Sequence, residues 1–373
     1  MHGRVARLRS RMREHAVEAL LITSAANRRY LSGFTGSAGT LLITDTATLI
    51  FTDFRYRVQV ARESPAFELR EISSESPLPH LLAVAAQELG LQRIAFEAEH
   101  VSVAQHNQLV DALQEHADAD TPPAAPTLEP VEQMVEPLRE VKDADEIATL
   151  RHAVAITDAA ITAVIPQLQP EMTERQAAWM LEVALRERGA DGVAFPIIVA
   201  AGPNAALPHA RPDDTPLGTG RPIIIDMGAY YAGYHADLTR TITLGTPDTR
   251  FWEMYTLVLE AQQRAIAGLH AGISSLAVDA LARDHITAAG YGDAFGHGLG
   301  HGVGLDIHEG PRLRRKPADP SGDEDDPPVL PAGSVFSVEP GIYLEGWGGV
   351  RIEDLVWLHA DHGELLSRAP KLR

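Results

Sequence analysis

The chain has 373 residues, of which 45% are hydrophobic and 22% charged, and its formal net charge is −19. The length predicts about two to three domains, and the charge argues against nucleic acid as a partner, because a field of that sign repels phosphates. Cysteine is absent, which excludes disulfides, thiolate metal ligands and cysteine nucleophiles. No apolar run reaches the ~20 residues that a membrane span needs, and the basic N-terminus leads into Glu14 and His15. We therefore expect a cytoplasmic protein with no signal peptide and no membrane partner.

The first part of the chain, up to residue 115, alternates strand-like and helix-like stretches. We expect an amphipathic helix at the start and a second helix over Leu78–Glu88 that ends at Gly90. Apolar runs on both sides of Asp45 and Thr46 predict a hairpin. The predicted strands are Ala19–Thr23, Gly39–Thr44, Ala47–Thr52 and Arg93–Phe96. This alternation is typical of an α/β domain with a core of its own.

A proline-rich stretch then interrupts the pattern. Residues 117–130, ADADTPPAAPTLEP, contain four prolines and follow neither a helical nor a strand period, which favours a linker. We therefore expect one domain over residues 1–130 and another over residues 131–373.

The second domain combines long helices with β segments. The predicted helices are Asp143–Val164, Thr173–Arg188, Trp252–Leu269 and Leu276–Ala289. The predicted β segments are Pro222–Tyr231, Tyr234–Leu244, Ser334–Leu344 and Gly349–Leu358. Residues 317–328, PADPSGDEDDPP, are acidic and proline-rich, and we expect a mobile surface loop there. The pattern predicts helices on an antiparallel sheet, an α+β arrangement.

Two acidic residues lie within the first apolar hairpin of this domain. In IIIDMGAYYAGYHADLTRTITL, Asp226 and Asp237 stand on opposite sides of a turn near Ala232 and Gly233. Folding of the hairpin is expected to bring the two carboxylates nearly opposite each other, about 4.5–5.5 Å apart at Cβ. Carboxylates that close repel each other unless a proton or a cation lies between them.

A second hairpin repeats this arrangement. In VFSVEPGIYLEGWGGVRIEDLVWL, Glu339 precedes a glycine-rich turn and Glu353 follows it at a nearly mirrored distance. Acidic residues within apolar strands are costly without a partner. One such pair could be a surface feature, but two pairs favour a shared cation site.

Histidines lie between the two hairpins. Phe295–Glu309, FGHGLGHGVGLDIHE, contains His297, His301 and His308 among five glycines. The glycines argue against a helix and favour backbone that passes close to a ligand. Four carboxylates and one imidazole would suit two divalent ions, whose four positive charges they offset. Oxygen-rich ligation favours Mn²⁺, with Co²⁺ and Zn²⁺ as alternatives.

Simpler interpretations compete with this one. Any single carboxylate of this kind is more often a surface or turn residue, and a lone buried histidine is more often part of the core. The dinucleotide fingerprint, the phosphate loop, the HExxH helix and the nucleophile elbow are all absent from the sequence. The two acidic hairpins together predict a hydrolase in which metal ions activate a water.

These segments together resemble the pita-bread metallopeptidases, the family of aminopeptidase P, prolidase, methionine aminopeptidase and creatinase. The stretches that carry the resemblance are LPHA (207–210), residues 223–241, residues 295–309, SVEPGIY (337–343), VRIEDLV (350–356) and LREVKDADEIATLRHA (138–153). YLSGFTGSAG (30–39) and TDFRYR (52–57) are similar to the creatinase-type N-terminal domain of aminopeptidase P and prolidase. The resemblance implies a creatinase-like α/β domain followed by a pita-bread catalytic domain, in which helices cover an antiparallel sheet.

The resemblance also implies two divalent metal ions per subunit. Asp226 would chelate one ion, and Asp237 and Glu353 would bridge both. His301 and Glu339 would complete the shell of the second ion. A hydroxide bridging the two ions would attack the substrate, and Glu339 would carry its proton to the leaving nitrogen.

The same resemblance implies roles in substrate handling. His209 and His308 would stabilise the tetrahedral oxyanion, and His297 would line the pocket for the proline ring. Arg351 would fix the geometry around the metal ligands. The implied substrate-binding side chains are those of His297, Arg312, Tyr343 and Arg351.

The implied reaction is hydrolysis of the Xaa-Pro bond at the N-terminus of peptides, as in an Xaa-Pro aminopeptidase. That bond is a tertiary amide without an N–H, which suits an activated water beside an apolar pocket. The alternative is an Xaa-Pro dipeptidase, or prolidase, and a remote alternative is a non-catalytic or creatinase-like member of the fold. Methionine aminopeptidases lack the N-terminal domain, and creatinase lacks the metal ligands. The resemblance further implies a homodimer.

Overall fold

A computed structural model of the chain describes residues 2–116, 125–314 and 328–372. The chain divides into two compact units, Met1–Arg139 and Glu140–Arg373. The predicted boundary between residues 130 and 131 falls shortly before this division. The predicted acidic loop at 317–328 lies, apart from Pro328, outside the described residues.

The first unit is built on a six-stranded mixed sheet of order β4-β3-β2-β1-β5-β6. Its strands are β1 (Ala19–Ile22), β2 (Thr40–Thr44), β3 (Thr48–Asp53), β4 (Glu68–Ile72), β5 (Arg93–Glu97) and β6 (Thr127–Val131). The predicted hairpin is confirmed, since β2 and β3 pair antiparallel, whereas β1–β5, β3–β4 and β5–β6 are parallel pairs. The helices are α1 (His2–Glu14), α2 (Ala25–Ser32), α3 (Arg57–Glu63), α4 (Leu78–Leu89), α5 (Val103–His116) and α6 (Glu136–Glu140).

Strand β6 corrects the prediction of a linker without regular structure over residues 117–130. Its residues pair in parallel with β5 from Thr127 to Val131. Pro130 is tolerated because β6 lies at the edge of the sheet, where a missing backbone N–H leaves no neighbouring strand unpaired. The strand was missed because the prolines mask a period of two over so few residues.

Four long helices of the second unit begin and end close to their predicted limits. They are α7 (Ala144–Val164), α8 (Glu174–Glu187), α9 (Thr249–Ala267) and α10 (Ser275–Ala288). Asp143 and Thr173 each form a capping box with the third residue of the following helix, which satisfies backbone N–H groups that the first turn leaves open. Judged by length and composition, one helical stretch of the described residues, Ala144–Gln167, could cross a membrane. Half of its apolar window is buried inside the protein, as in a core helix.

The described strands of the second unit all pair antiparallel. They are β7 (Gly192–Val193), β8 (Ile198–Ala201), β9 (Ile223–Met227), β10 (Ala229–Tyr231), β11 (Tyr234–His235), β12 (Leu238–Ile242), β13 (Gly300–Gly302), β14 (Glu309–Leu313), β15 (Val335–Val338), β16 (Gly341–Leu344), β17 (Gly348–Arg351), β18 (Asp354–Leu358) and β19 (Gly363–Leu365). One apolar cluster joins α7 and α8 to β8, β9 and β12, and a second joins α9 and α10 to β14–β18. The α+β arrangement of helices on antiparallel sheets is therefore confirmed.

Candidate metal centre

The first acidic hairpin is closed by a two-residue turn. Ala232 and Gly233 have φ values of 46° and 85°, as a type I′ turn requires. The strands β9 and β12 pair with Asp226 opposite Thr239. Asp237 lies two residues before Thr239, so the two carboxylates are diagonal neighbours and not directly opposite each other. The prediction of opposed carboxylates is wrong by this offset, because Asp226 lies further from the turn than Asp237.

The second acidic hairpin places its two carboxylates opposite each other. Val338 pairs with Asp354 on β15 and β18, and Gly341 pairs with Arg351 on β16 and β17. The two pairings share one register, which sets Glu339 against Glu353 in the gap between them. This agrees with the mirrored spacing that the sequence predicts.

Strand β13 brings an imidazole to the same place. His301 Nε2 lies 3.6 Å from a carboxylate oxygen of Asp237 and 3.4 Å from one of Glu339. Ligand atoms of Asp237, His301 and Glu353 all lie within 4.8 Å of one another. Gly300 lets β13 come this close to β15, because a Cβ there would clash with the carbonyl oxygen of Ser337.

The electrostatics of the cluster show an excess of negative charge. Burial, followed by the charges of Glu353 and Asp226, raises the pKa of Asp237 well above its usual range. Burial likewise raises the pKa of Glu353, with contributions from Glu339 and Asp226, and raises the pKa of Glu339 to about 7. Burial lowers the pKa of His301 to about 4, so its imidazole is neutral and can act as a ligand.

Divalent cations fit this donor set. Among the described residues, Asp226 Oδ1 and Glu353 Oε1 are buried oxygens with no hydrogen-bond partner. Buried acceptors left without a partner are unfavourable, and a bound cation would satisfy them. A cation would also relieve the repulsion among the carboxylates. Carboxylate oxygens and a neutral imidazole are ligands that Mn²⁺, Co²⁺ and Zn²⁺ accept.

Arg351 connects several of these groups. It is 3% exposed and donates to Asp226 Oδ2 at 2.6 Å and to Thr239 Oγ1 at 3.1 Å. Thr239 in turn donates to Glu353 Oε2 at 2.7 Å. Burial alone would lower the pKa of Arg351, but the groups around it, Tyr343 and Asp226 first, hold that pKa well above its usual range. The guanidinium therefore stays charged and fixes the orientation of the carboxylate of Asp226.

Arg351 is also hydrogen-bonded to Tyr343, which in turn contacts His297, and both are predicted substrate-binding residues. Arg351 Nη1 donates to the hydroxyl of Tyr343 at 2.9 Å, and this oxygen lies 2.9 Å from His297 Nε2. Burial raises the pKa of Tyr343 to about 12 and lowers that of His297 to about 4. The imidazole of His297 is therefore neutral near pH 7.

The remaining predicted residues lie on the exposed side of the cluster. The ring of His308 contacts that of His301 at 4.3 Å between centroids, and Arg312 lies opposite His301 in the β13–β14 register. Burial and then the charges of Arg312 and His209 lower the pKa of His308, which shows that these side chains are near it. The structure thus brings all the predicted site residues into one region of the second unit.

Several residues that hold the predicted ligands in place were not predicted from the sequence. Ser337 donates to Glu339 Oε1 at 3.2 Å, and Gln262 donates from α9 to the carbonyls of Val338 and Ile352. Thr239 and Ser337 each lie two residues from a predicted ligand on the same strand face, so the strand period of two could have indicated them. Gln262 had no such signal, because its partners are backbone atoms distant in sequence.

Two family models match most of the chain. Residues 148–360 match Metallopeptidase family M24, and residues 4–141 match the Creatinase/Prolidase N-terminal domain. An uncharacterized peptidase of Bacillus subtilis (strain 168) is 35% identical over 365 residues, with 98% of both chains covered.

Solved structures extend the similarity to the fold of the whole chain. An Xaa-Pro dipeptidase from Bacillus anthracis matches with a TM-score of 0.91 and 36% identity, and the match covers 100% of this chain and 98% of the other. An X-Pro aminopeptidase from Thermotoga maritima MSB8 matches with a TM-score of 0.85 and 36% identity, covering 97% and 99%.

The fold and the acidic site thus define a metal-dependent hydrolase with a pita-bread catalytic domain. The chain belongs to metallopeptidase family M24, whose members use divalent metals, and it carries a creatinase-type N-terminal domain.

Proposed function

We propose that this protein removes the first residue from peptides whose second residue is proline, as an Xaa-Pro aminopeptidase. The observation that carries the proposal is the convergence of Asp226, Asp237, His301, Glu339 and Glu353, with two buried carboxylate oxygens that lack hydrogen-bond partners among the described residues. These five side chains would hold two divalent ions, for which we propose Mn²⁺, with Co²⁺ or Zn²⁺ as alternatives. When bound, such ions supply Lewis acidity that lowers the pKa of a water and polarises a carbonyl.

The protein's own groups supply the remaining chemistry. The proline nitrogen of an Xaa-Pro bond carries no hydrogen, so it must receive a proton in order to leave as an amine. We assign this transfer to Glu339, whose carboxylate the Ser337 hydroxyl holds in place. His209 and His308 would donate hydrogen bonds to the developing oxyanion. Arg351 would keep Asp226 oriented throughout.

We propose that the proline ring of the substrate packs beside His297. His297 Nε2 and the hydroxyl of Tyr343 lie 2.9 Å apart and bond to each other, so these polar atoms are already engaged. An apolar ring that needs no hydrogen-bond partner can therefore pack against them without leaving a buried polar group unpaired.

The aminopeptidase proposal is tested by comparing an Xaa-Pro dipeptide with an Xaa-Pro-Xaa tripeptide under added Mn²⁺. We expect hydrolysis of the tripeptide, with release of its first residue. Asp226→Asn and Glu339→Ala should each abolish hydrolysis and leave the fold intact. Full activity in either variant would contradict the assignment of these residues.

An Xaa-Pro dipeptidase is the second candidate. Arg312 is exposed on β14 opposite His301, where its guanidinium could pair with the free carboxylate of a dipeptide. The structurally similar proteins include one described as a dipeptidase and one described as an aminopeptidase. A dipeptidase would spare the tripeptide, and Arg312→Gln would then raise KM for the dipeptide.

We further infer a homodimer that forms through the first unit. Phe54 and Val58 lie four residues apart and are 71% and 80% exposed, and exposed apolar clusters often mark contact surfaces. Sedimentation at micromolar concentration should show a dimer, and the double change Phe54→Ser with Val58→Ser should weaken it. Val103→Ser serves as the control, because Val103 is 78% exposed but lies elsewhere in the unit. A parent protein that sediments only as a monomer would refute the inference.

A cytoplasmic location also stays a proposal. It is supported by the charge of −19 and by the burial of the apolar helical stretch Ala144–Gln167. Fractionation of cells that express the chain should recover it outside the membrane pellet.

A further inference from the structure

A buried ion pair on α10 lies behind the glycine-rich segment that carries His297. Arg283 donates to the two carboxylate oxygens of Asp279 at 2.6 and 2.9 Å, one helical turn away. The side chains of Arg283 and Asp279 are 12% and 3% exposed. Burying such a pair is costly, and this cost is offset only when further hydrogen bonds satisfy its remaining donors and acceptors.

The pair binds the backbone of alternate residues along the segment. Arg283 donates to the carbonyl oxygens of Phe295 at 2.7 Å and His297 at 2.6 Å. Asp279 Oδ1 accepts from the backbone N–H of Leu299 at 3.0 Å. The guanidinium also lies over the ring of Phe295, 4.1 Å from its centroid, which adds a cation–π contact.

These contacts fix a stretch that glycine would otherwise leave free. Gly296 and Gly298 flank His297, and glycine loses more conformational freedom on ordering than any other residue. The carbonyl of Leu299 in turn accepts from the backbone N–H of Glu339 at 2.8 Å. The ion pair is therefore hydrogen-bonded directly to the backbone of His297, and it is connected to Glu339 through the backbone of Leu299.

We propose that the Asp279–Arg283 pair positions His297 and so determines how well the site holds the residue that follows the scissile bond. The inference rests on the Xaa-Pro peptidase activity proposed above. Arg283 is a positioning residue and not a catalytic one, because its contacts are to backbone carbonyls and to Asp279. Lysine cannot replace it, because a compact ammonium cannot span the Asp279 carboxylate and the two carbonyl oxygens that the planar guanidinium reaches.

The kinetic test is a double-mutant cycle between Arg283→Lys and His297→Ala. In the parent background Arg283→Lys should raise KM for an Xaa-Pro-Xaa substrate about tenfold, with a much smaller change in kcat. In the His297→Ala background the same change should alter KM by less than about twofold, because residues that act through one another are not additive. An equal increase in both backgrounds would show a general structural role and overturn the proposal.

Arg186→Lys is the matched control. Arg186 forms the corresponding pair on α8, with Glu182 one turn away at 3.0 Å, but at the surface. We expect parental KM in this variant. If Arg283→Lys does not fold, Asp279→Asn replaces it, since asparagine keeps an oxygen that can accept from Leu299.

A second readout is independent of peptidase activity. With Zn²⁺ in the site, the imidazole resonance of His297, assigned by NMR through His297→Ala, should shift in Arg283→Lys and keep its parental position in Arg186→Lys. An unchanged resonance in Arg283→Lys would overturn the positioning role. If the parent hydrolyses no Xaa-Pro peptide, the proposed function fails and the NMR result alone decides this inference.

Discussion

Arg351→Lys keeps the positive charge next to Asp226 but removes the planar fork of donors. Arg351 donates to Asp226 at 2.6 Å, to Tyr343 at 2.9 Å and to Thr239 at 3.1 Å. A lysine ammonium is a single point on a flexible stem and cannot reach all three acceptors. The substitution therefore separates the effect of geometry from that of charge.

The expected size of the effect follows from these contacts. Loss of two hydrogen bonds to a charged group should cost about 3 kcal/mol in the free energy of unfolding, at about 1.5 kcal/mol each. Loss of a group that orients metal ligands typically lowers metal affinity about 10–100-fold, or about 1.4–2.7 kcal/mol. We expect the affinity of Arg351→Lys for Mn²⁺ to be about 10–100-fold lower than that of the parent, with a similar loss in kcat/KM at limiting metal.

The assay is calorimetric titration of metal-stripped protein with Mn²⁺, together with urea unfolding. Arg250→Lys is the control, because Arg250 is exposed and lies over the ring of Trp347, and we expect it to bind Mn²⁺ like the parent. Parental Mn²⁺ affinity in Arg351→Lys would refute the claim that the guanidinium orients Asp226.

Three further changes test the surroundings of the site. Lys142→Met removes the buried partner that lies 2.6 Å from Glu309 and should cost about 3–5 kcal/mol in urea unfolding; a loss under about 1 kcal/mol would contradict this. Gly228→Ala would place a Cβ against the carbonyl oxygen of Ala236 and should destabilise by about 1–3 kcal/mol, whereas Gly192→Ala, with open space around it, should not. Burial raises the pKa of Glu174. The protonated side chain therefore contributes fully to stability below the ordinary pKa, and this contribution is lost as pH rises through the raised pKa. Glu174→Gln should therefore gain stability relative to the parent as pH rises above the ordinary pKa of 4.5, and equal pH dependence of the two proteins would argue against the shift.

Local patterns in the sequence were sufficient for most of the elements. Capping residues such as Asp143 and Thr173 mark helix starts because their side chains bond to the first turn, a contact within a few residues. The opposition of Glu339 and Glu353 could be predicted as well, because their spacing about the turn is nearly symmetric.

Features that depend on distant parts of the chain were beyond the sequence. Strand β6 depends on pairing with β5, about thirty residues earlier. The contacts of Gln262 and Arg283 are to backbone carbonyls, which carry no residue-specific signal.

We propose that the reaction needs two divalent ions held by five side chains. The most direct measurement is the Mn²⁺ content of the stripped and reloaded protein, followed by its rate of Xaa-Pro-Xaa hydrolysis. We expect about two Mn²⁺ per chain, fewer in Asp237→Asn, and no hydrolysis after chelation until Mn²⁺ is restored. Undiminished hydrolysis by the fully stripped protein would contradict the claim.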